Sequence, residues 1–148
     1  MTISPFIKMF IATVGLLVMQ MPCLAAGNSI PVCPPQIQQS SVALKDVGAD
    51  WTVYVAAPLY LHSAALIDGP PERLGEMVAK QVRTGRDTWV DTYDLHGPFP
   101  EGKWLRCSYG MLNEVVLAKR LDDGIGACTV KGKKGYKAGQ NVFSVECR

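Results

Sequence analysis

Apolar and polar residues alternate along several short stretches of this chain, which is the pattern of half-buried β-strands. The stretches begin near residue 51 and continue almost to the end of the chain, and glycine or proline separates most of them. Strands are predicted over residues 51–55, 60–67, 89–95, 103–109 and 114–121. A turn over 110–113 would join the last two as a hairpin. The alternation therefore predicts an antiparallel sheet.

One stretch has a helical period instead. Leu74, Met77, Val78 and Val82 recur at the spacings that place residues on one face of a helix, which predicts a short helix over 71–82. A glycine within this stretch weakens the prediction, since glycine costs about 1 kcal/mol in a helix relative to alanine. The predicted fold class is mainly β or α+β, a single small domain with at most one short helix.

The first residues of the chain have the three parts of a cleavable export signal. Lys8 supplies positive charge, residues 9–21 are mostly apolar, and small residues follow. The apolar stretch is too short for a membrane span, which needs about 20 apolar residues. We predict a signal peptide over 1–26, cleaved near Ala25 or Ala26, and a periplasmic location for the mature protein.

The exported part of the chain, residues 27–148, has no internal repeat and no long linker. A length of this order is ordinary for one domain. Three prolines and many small polar residues mark the beginning of this part, which is predicted to be an extended N-terminal arm over 27–48. The sequence therefore predicts one domain with an arm that packs on its body.

The cysteine count supports an oxidising compartment. The chain has five cysteines, and Cys23 falls within the predicted signal. The remaining four are Cys33, Cys107, Cys128 and Cys147. An even number of cysteines in an exported chain without a Cys-x-x-Cys motif predicts two structural disulfides.

A predicted C-terminal hairpin favours one pairing of these cysteines. If Cys128 lies opposite Cys147, the apolar residues of the two strands also face one another, and directly opposed residues are within disulfide reach. Cys33 with Cys107 then follows by elimination. Four cysteines permit three pairings, so the other two stay open at this point.

Residues that carry catalytic or metal chemistry are few. His62 and His96 lack metal-ligand spacing, and the strand alternation places Asp91 on the opposite face from Asp94 and His96. No nucleophile-elbow motif accompanies the serine next to His62, and the carboxylates, Asp91 included, are in contexts typical of solvated faces or turns. We predict no enzyme activity, no catalytic residue, no metal site and no cofactor.

The charged residues of the chain indicate at most one local binding site. The formal net charge is +2, and cleavage of the signal brings it closer to zero, which excludes a dedicated nucleic-acid binder. The strongest local feature is a predicted hairpin tip with Lys131, Lys133, Lys134, Tyr136 and Lys137. Such a tip could bind an acidic protein surface, an anionic glycan or phospholipid head groups. Alternatively, it serves only to keep the hairpin soluble.

Three further residues are candidates for partner contact. Phe99 lies between two prolines in a loop, where it either projects as a contact residue or packs on the body. Trp104 and Arg106 lie on the face opposite Cys107, and tryptophan with arginine is the composition of a binding hot spot. A two-layered fold would bury this pair instead.

Four motifs together resemble a poorly characterised family of small exported proteobacterial proteins. They are Cys33-Pro34-Pro35-x-Ile37, Asp68-Gly69-Pro70-Pro71, Trp104-Leu-x-Cys-x-Tyr109, and the hairpin from Cys128 to Cys147. The resemblance extends over most of the exported chain and implies a bacterial periplasmic setting. It implies no activity.

The function predicted from these observations is that of a non-enzymatic periplasmic binding protein, such as an inhibitor or immunity protein against an envelope hydrolase or toxin. Its partner is then an envelope protein. A structural or accessory component of an envelope assembly is the first alternative, and a small hydrolase is the second.

Overall fold

The computed structural model describes residues 32–148, so the predicted signal peptide and the first residues of the arm lie outside the described residues. Eight strands follow one another: β1 Gln36–Ile37, β2 Leu59–Asp68, β3 Lys80–Arg83, β4 Thr88–Asp94, β5 Lys103–Tyr109, β6 Val115–Arg120, β7 Ala127–Lys134 and β8 Asn141–Cys147. The helical content of this part is limited to two 3₁₀ turns, Gln39–Ser41 and Pro71–Arg73. No helix within it has the length and hydrophobicity to cross a membrane.

The strands form two four-stranded sheets. The first has the order β1-β2-β5-β6 and the second the order β3-β4-β7-β8, and all neighbours are antiparallel. Alternation predicts that the strands have an apolar face, and such faces of both sheets meet in one core. All four residues of β3 are exposed. The mainly β fold class is confirmed.

The core takes large side chains from both sheets. Leu66, Leu105 and Tyr109 come from the first sheet, and Tyr93 and Val130 come from the second; all five are almost completely buried. Burying a large apolar side chain contributes about 1.5–3 kcal/mol, so these residues hold the layers together. The predicted strands over 60–67, 89–95, 103–109 and 114–121 are confirmed within a residue or two at their ends.

Two disulfides are present, as the cysteine count predicts. Cys128 lies directly opposite Cys147 in the β7–β8 pair and is bonded to it, with Cα atoms 4.1 Å apart. Cys33 is bonded to Cys107 of β5, with Cα atoms 5.7 Å apart. This second bridge attaches the N-terminal arm to the middle of the first sheet.

Backbone and side-chain hydrogen bonds attach the arm further. Leu61 N donates to Pro35 O over 3.1 Å, and the Tyr109 hydroxyl donates to Pro34 O over 3.0 Å. Immediately afterwards the arm forms β1 at the edge of β2. The arm therefore joins the first sheet through Gln36–Ile37.

The predicted helix over 71–82 is wrong. A single 3₁₀ turn forms instead, and Leu74 ends it in the left-handed conformation with φ 54°. Asp68 N donates to Gly75 O over 3.0 Å, which extends the edge of β2, and a Cβ at Gly75 would overlap the Asp68 carbonyl. Of the apolar residues at helical spacing, Leu74 ends this turn and Val82 lies in strand β3. The sequence did not predict that strand.

The predicted strand over 51–55 is also wrong. No strand of the described chain pairs with these residues, and Trp51 is 73% exposed and Tyr54 83% exposed. The edge of β2 pairs with β1 at one end and with Glu76 through the bridge at Ile67 at the other, and residues 51–55 are not among its partners. We call residues 51–55 the unpaired segment.

Candidate functional site

Three turns meet at one end of the two-sheet body, and we call this region the tip end. They are the β3–β4 turn over 84–87, the β5–β6 turn over 110–113 and the β7–β8 turn over 135–140. Lys134 N of β7 donates to Asp87 O of the first turn over 3.0 Å. His62 Nδ1 of β2 donates to Gly139 O of the third turn over 2.9 Å, and Asn141 Nδ2 donates to His62 O over 2.6 Å. The two bonds of His62 join the two sheets at this end.

The β7–β8 turn has a rigid base. Gly135 N donates to Gln140 O over 2.9 Å, and Gln140 N donates to Lys137 O over 3.0 Å. Gly139 has φ 73°, which a residue with a side chain adopts only with strain. Tyr136 lies at the top of this turn with a fully exposed side chain. A well-held turn thus presents one aromatic ring to solvent.

The β5–β6 turn presents two more apolar side chains. Asn113 N donates to Gly110 O over 3.2 Å, and the Glu114 carboxylate accepts from Leu112 N over 3.0 Å. Leu112 is 84% exposed and Met111 is 67% exposed. A Cβ added at Gly139 would lie 2.8 Å from Met111 Cγ, so this turn lies against the β7–β8 turn.

An open pocket of about 320 Å³ lies beside these turns. It is lined mainly by small or apolar residues, including Ala57, Pro58, Met111 and Gly139. Exposed aromatic and aliphatic side chains next to a shallow apolar pocket are characteristic of protein-binding surfaces.

Basic side chains surround this apolar centre. Five basic residues occur at the tip end against two acidic ones: Arg83, Arg86, Lys133, Lys134 and Lys137, with Asp87 and Glu114. Lys134 Nζ lies 3.2 Å from Asp87 Oδ1, so one of the acidic charges is compensated locally. In the rest of the described chain acidic side chains outnumber basic ones. The tip end is therefore the positive end of the molecule.

The predicted lysine tip is distributed over two surfaces. Lys131 and Lys133 lie on the outer face of β7, where Lys131 Nζ is 2.6 Å from Glu146 Oε1. They border an open groove of about 420 Å³ across β4, β7 and β8. Lys133 borders both the groove and the turns, because it pairs with Thr88 and Val142. It therefore belongs to the tip end together with Lys134, Tyr136 and Lys137.

Phe99, Trp104 and Arg106 do not join the tip end. The Phe99 ring lies over Lys103, whose Nζ is 5.3 Å from the ring centroid, so Phe99 packs on the body. Trp104 Nε1 donates to Glu101 O over 3.0 Å at the opposite end of β5 from the β5–β6 turn. Arg106 donates to the Glu76 carboxylate over 2.7 Å with its side chain 21% exposed. The candidate contact residues thus fall into two separate groups.

The remaining polar candidates have structural partners. Ser63 Oγ donates to Asn113 Oδ1 over 3.2 Å instead of to a histidine. His96 Nδ1 lies 2.7 Å from Asp94 Oδ1, and hydrogen bonds from the backbone and ring of His96 hold the pKa of Asp94 below its usual value. Within residues 32–148 no three His, Cys, Asp or Glu side chains are placed to hold a metal ion.

One expectation about the carboxylates is wrong. Asp91 is buried, although the sequence assigned it to a solvated face. Its register on β4 turns it toward Gln81 of β3, whose Nε2 donates to Asp91 Oδ1 over 2.7 Å. Strand β3, which the sequence did not predict, therefore supplies the hydrogen bond that offsets the cost of burying Asp91.

Sequence reasoning missed Met111 and Leu112. They were assigned to a turn, and turns are normally polar. Two adjacent apolar residues in a four-residue turn between Gly110 and Asn113 were the available signal, since nothing within a hairpin turn can bury them.

Comparison with known proteins connects this architecture to a family. A family model described as the type VI secretion system Tli immunity protein matches residues 56–148, which comprise both sheets apart from β1. No curated protein and no solved structure matches the chain. The match covers more than half of the sequence, and the chain therefore belongs to the type VI secretion system Tli immunity protein family.

Proposed function

We propose that this protein neutralises its toxin by seating the tip end on the toxin surface. As a member of an immunity-protein family the chain is a binding protein and not an enzyme, and its partner is a toxin. The observation that carries the proposal is the cluster of Met111, Leu112 and Tyr136, three exposed apolar side chains on two mutually supported turns. Rigid turns bind with little loss of conformational entropy.

The charge of the tip end specifies the partner surface further. Lys133 and Lys137 add to the positive field around the apolar cluster, so the complementary toxin surface is acidic with an apolar centre. Opposite charges of this kind accelerate encounter and select the partner. An anionic glycan or a membrane surface is the alternative ligand for the same lysines.

The setting proposed for this interaction is the periplasm. Two disulfides suit an oxidising compartment, and the predicted export signal over 1–26 supplies the route. Cleavage near Ala25 or Ala26 would leave residues 27–148 as one domain, with the arm over 27–48 attached through Cys33. The protein is then in place before a toxin reaches the envelope.

The test is protection of living cells. A strain that lacks this protein is exposed to the type VI toxin that kills it, and is complemented with the wild type or with Leu112→Ser/Tyr136→Ser. We expect survival with the wild type and killing with the variant, because two central contacts are lost while the free fold is retained. Val78→Ser is the matched control, since Val78 is 96% exposed and lies away from the three turns.

Survival with the double variant, at a protein level equal to that of the wild type, would contradict the proposal. Loss of protection by the control alone would place the contact surface elsewhere. Measuring the abundance of each variant in the cells separates lost binding from lost protein.

A further inference from the structure

The unpaired segment, residues 51–55, has the composition of a strand but no strand partner within the described chain. We propose that it is a second contact element for the toxin, and that it adds as a strand to the edge of a toxin sheet. This inference rests on the proposed function, because the partner is the same toxin.

The sequence of the segment favours a strand strongly. Trp51-Thr-Val-Tyr-Val55 consists entirely of β-branched and aromatic residues, which are the types enriched in strands. Trp51 N donates to Gly48 O over 3.0 Å, and residues 52–55 take no part in the backbone hydrogen bonds of the described chain. The segment therefore offers free donors and acceptors on its backbone.

The side chains of the segment are also largely exposed to solvent. Trp51 and Tyr54 are both large, aromatic and mostly exposed, and alternation places them on opposite sides of an extended chain. Tryptophan and tyrosine are both enriched at binding hot spots.

The position of the segment selects the toxin as its occupant. Ala57 and Pro58, two and three residues beyond Val55, line the pocket at the tip end. An extended chain spans about 3.4 Å per residue, so Val55 lies within about 10 Å of that pocket. A toxin seated on Leu112 and Tyr136 would therefore meet the segment.

The family match does not extend over the segment. It begins at residue 56, directly after the segment, so residues 51–55 are outside the part of the chain that the family model describes. Added strands take affinity from main-chain hydrogen bonds and specificity from alternate side chains. The segment is thus suited to recognise one particular toxin.

A proline substitution tests strand addition directly. Val53→Pro removes a backbone donor that makes no hydrogen bond in the described protein, so the free fold is expected to keep its stability. In the complex we expect the dissociation constant for the purified toxin to rise about tenfold, because proline removes one main-chain hydrogen bond and also disturbs its neighbours. Val53→Ala is the matched control, which keeps the donor and is expected to change affinity by less than about threefold.

Amide hydrogen exchange provides the second measurement. We expect the amides of residues 52–55 to exchange more slowly in the wild-type complex than in the free protein. Wild-type affinity of Val53→Pro together with unprotected amides would overturn the inference. Protection of these amides at high protein concentration without toxin would also overturn it, because a second copy would then be the occupant.

The two proposals fail in different ways. If Leu112→Ser/Tyr136→Ser binds normally while Val53→Pro is weakened, the tip end is not the contact surface and the segment still is. If only the double variant is weakened and the amides of residues 52–55 stay unprotected in the complex, the segment is not a contact element. Normal binding by both variants would overturn both proposals.

Discussion

At the residue scale, Tyr109 shows how one side chain connects the arm to the core. Its ring is completely buried, and its hydroxyl reaches Pro34 O at the surface of the first sheet. Burial raises the pKa of this phenol to about 12 from an ordinary value of 10.0. Tyr109 therefore stays protonated, and keeps donating to the arm, at pH values where a free tyrosine ionises.

Tyr109→Phe tests this contact. The loss of one hydrogen bond should lower the free energy of unfolding by about 1 kcal/mol at neutral pH. The wild type should then lose stability relative to the variant as pH rises between about 10 and 12, because its unfolded state releases the phenolic proton first. Urea unfolding of both proteins across this range measures the effect, and a pH-independent difference would contradict the assignment.

At the element scale, the β7–β8 hairpin depends on one glycine. Gly132 lies between Trp89 of β4 and Phe143 of β8, and a Cβ at this position would overlap the indole ring of Trp89. The absence of that atom allows Trp89 and Phe143 to meet edge to face, with ring centroids 5.7 Å apart. Aromatic pairs in this arrangement contribute about 0.5–1.5 kcal/mol beyond their buried area.

Gly132→Ala should therefore destabilise the fold by about 1–3 kcal/mol, since the added methyl group must displace Trp89. Gly124→Ala is the matched control, because its Cβ would meet nothing closer than an exposed Asp122 oxygen at 3.1 Å. The midpoint of urea unfolding measures both. Equal midpoints for the two variants would show that Trp89 is not held against Gly132.

Two of the hairpins could be predicted from local patterns, whereas the β3–β4 hairpin could not, because most of β3 lies within the predicted helix. The β5–β6 and β7–β8 hairpins form with the expected turns, and Cys128 lies opposite Cys147 as expected. The helix could not be excluded, because the bond from Asp68 N to Gly75 O joins residues whose pairing depends on the whole sheet.

The candidate site was predicted only in part for the same reason. Tyr136 and Lys137 were found from the composition of one hairpin tip. Met111 and Leu112 become part of the site only because the β5–β6 turn packs against Gly139 of the β7–β8 turn, a contact between sheets that leaves no local pattern. Conversely, the residues over 51–55 have the composition of a strand, but whether a strand pairs depends on where the folded chain places it relative to the sheet edges, and the sequence does not contain that position.

At the scale of the whole molecule, the fold separates stability from recognition. The disulfides, the core and the buried tyrosines hold the two sheets together. The turns of the tip end, in contrast, expose Met111, Leu112 and Tyr136 to solvent instead of packing them in the core. Each disulfide contributes about 2–4 kcal/mol on the common chain-entropy account, which suits a protein that works outside the cytoplasm. Substitutions at the exposed turns should therefore change binding without changing folding.

The most direct test of this account is the dissociation constant of the purified protein for its toxin, measured by titration calorimetry. We predict that Leu112→Ser/Tyr136→Ser weakens binding about 30-fold or more, since hot-spot residues contribute about 2 kcal/mol or more, while Val78→Ser binds like the wild type. We also predict that binding weakens as salt is raised, because the tip end is the positive end of the molecule. Wild-type affinity of the double variant would contradict the central claim that the tip end covers the toxin.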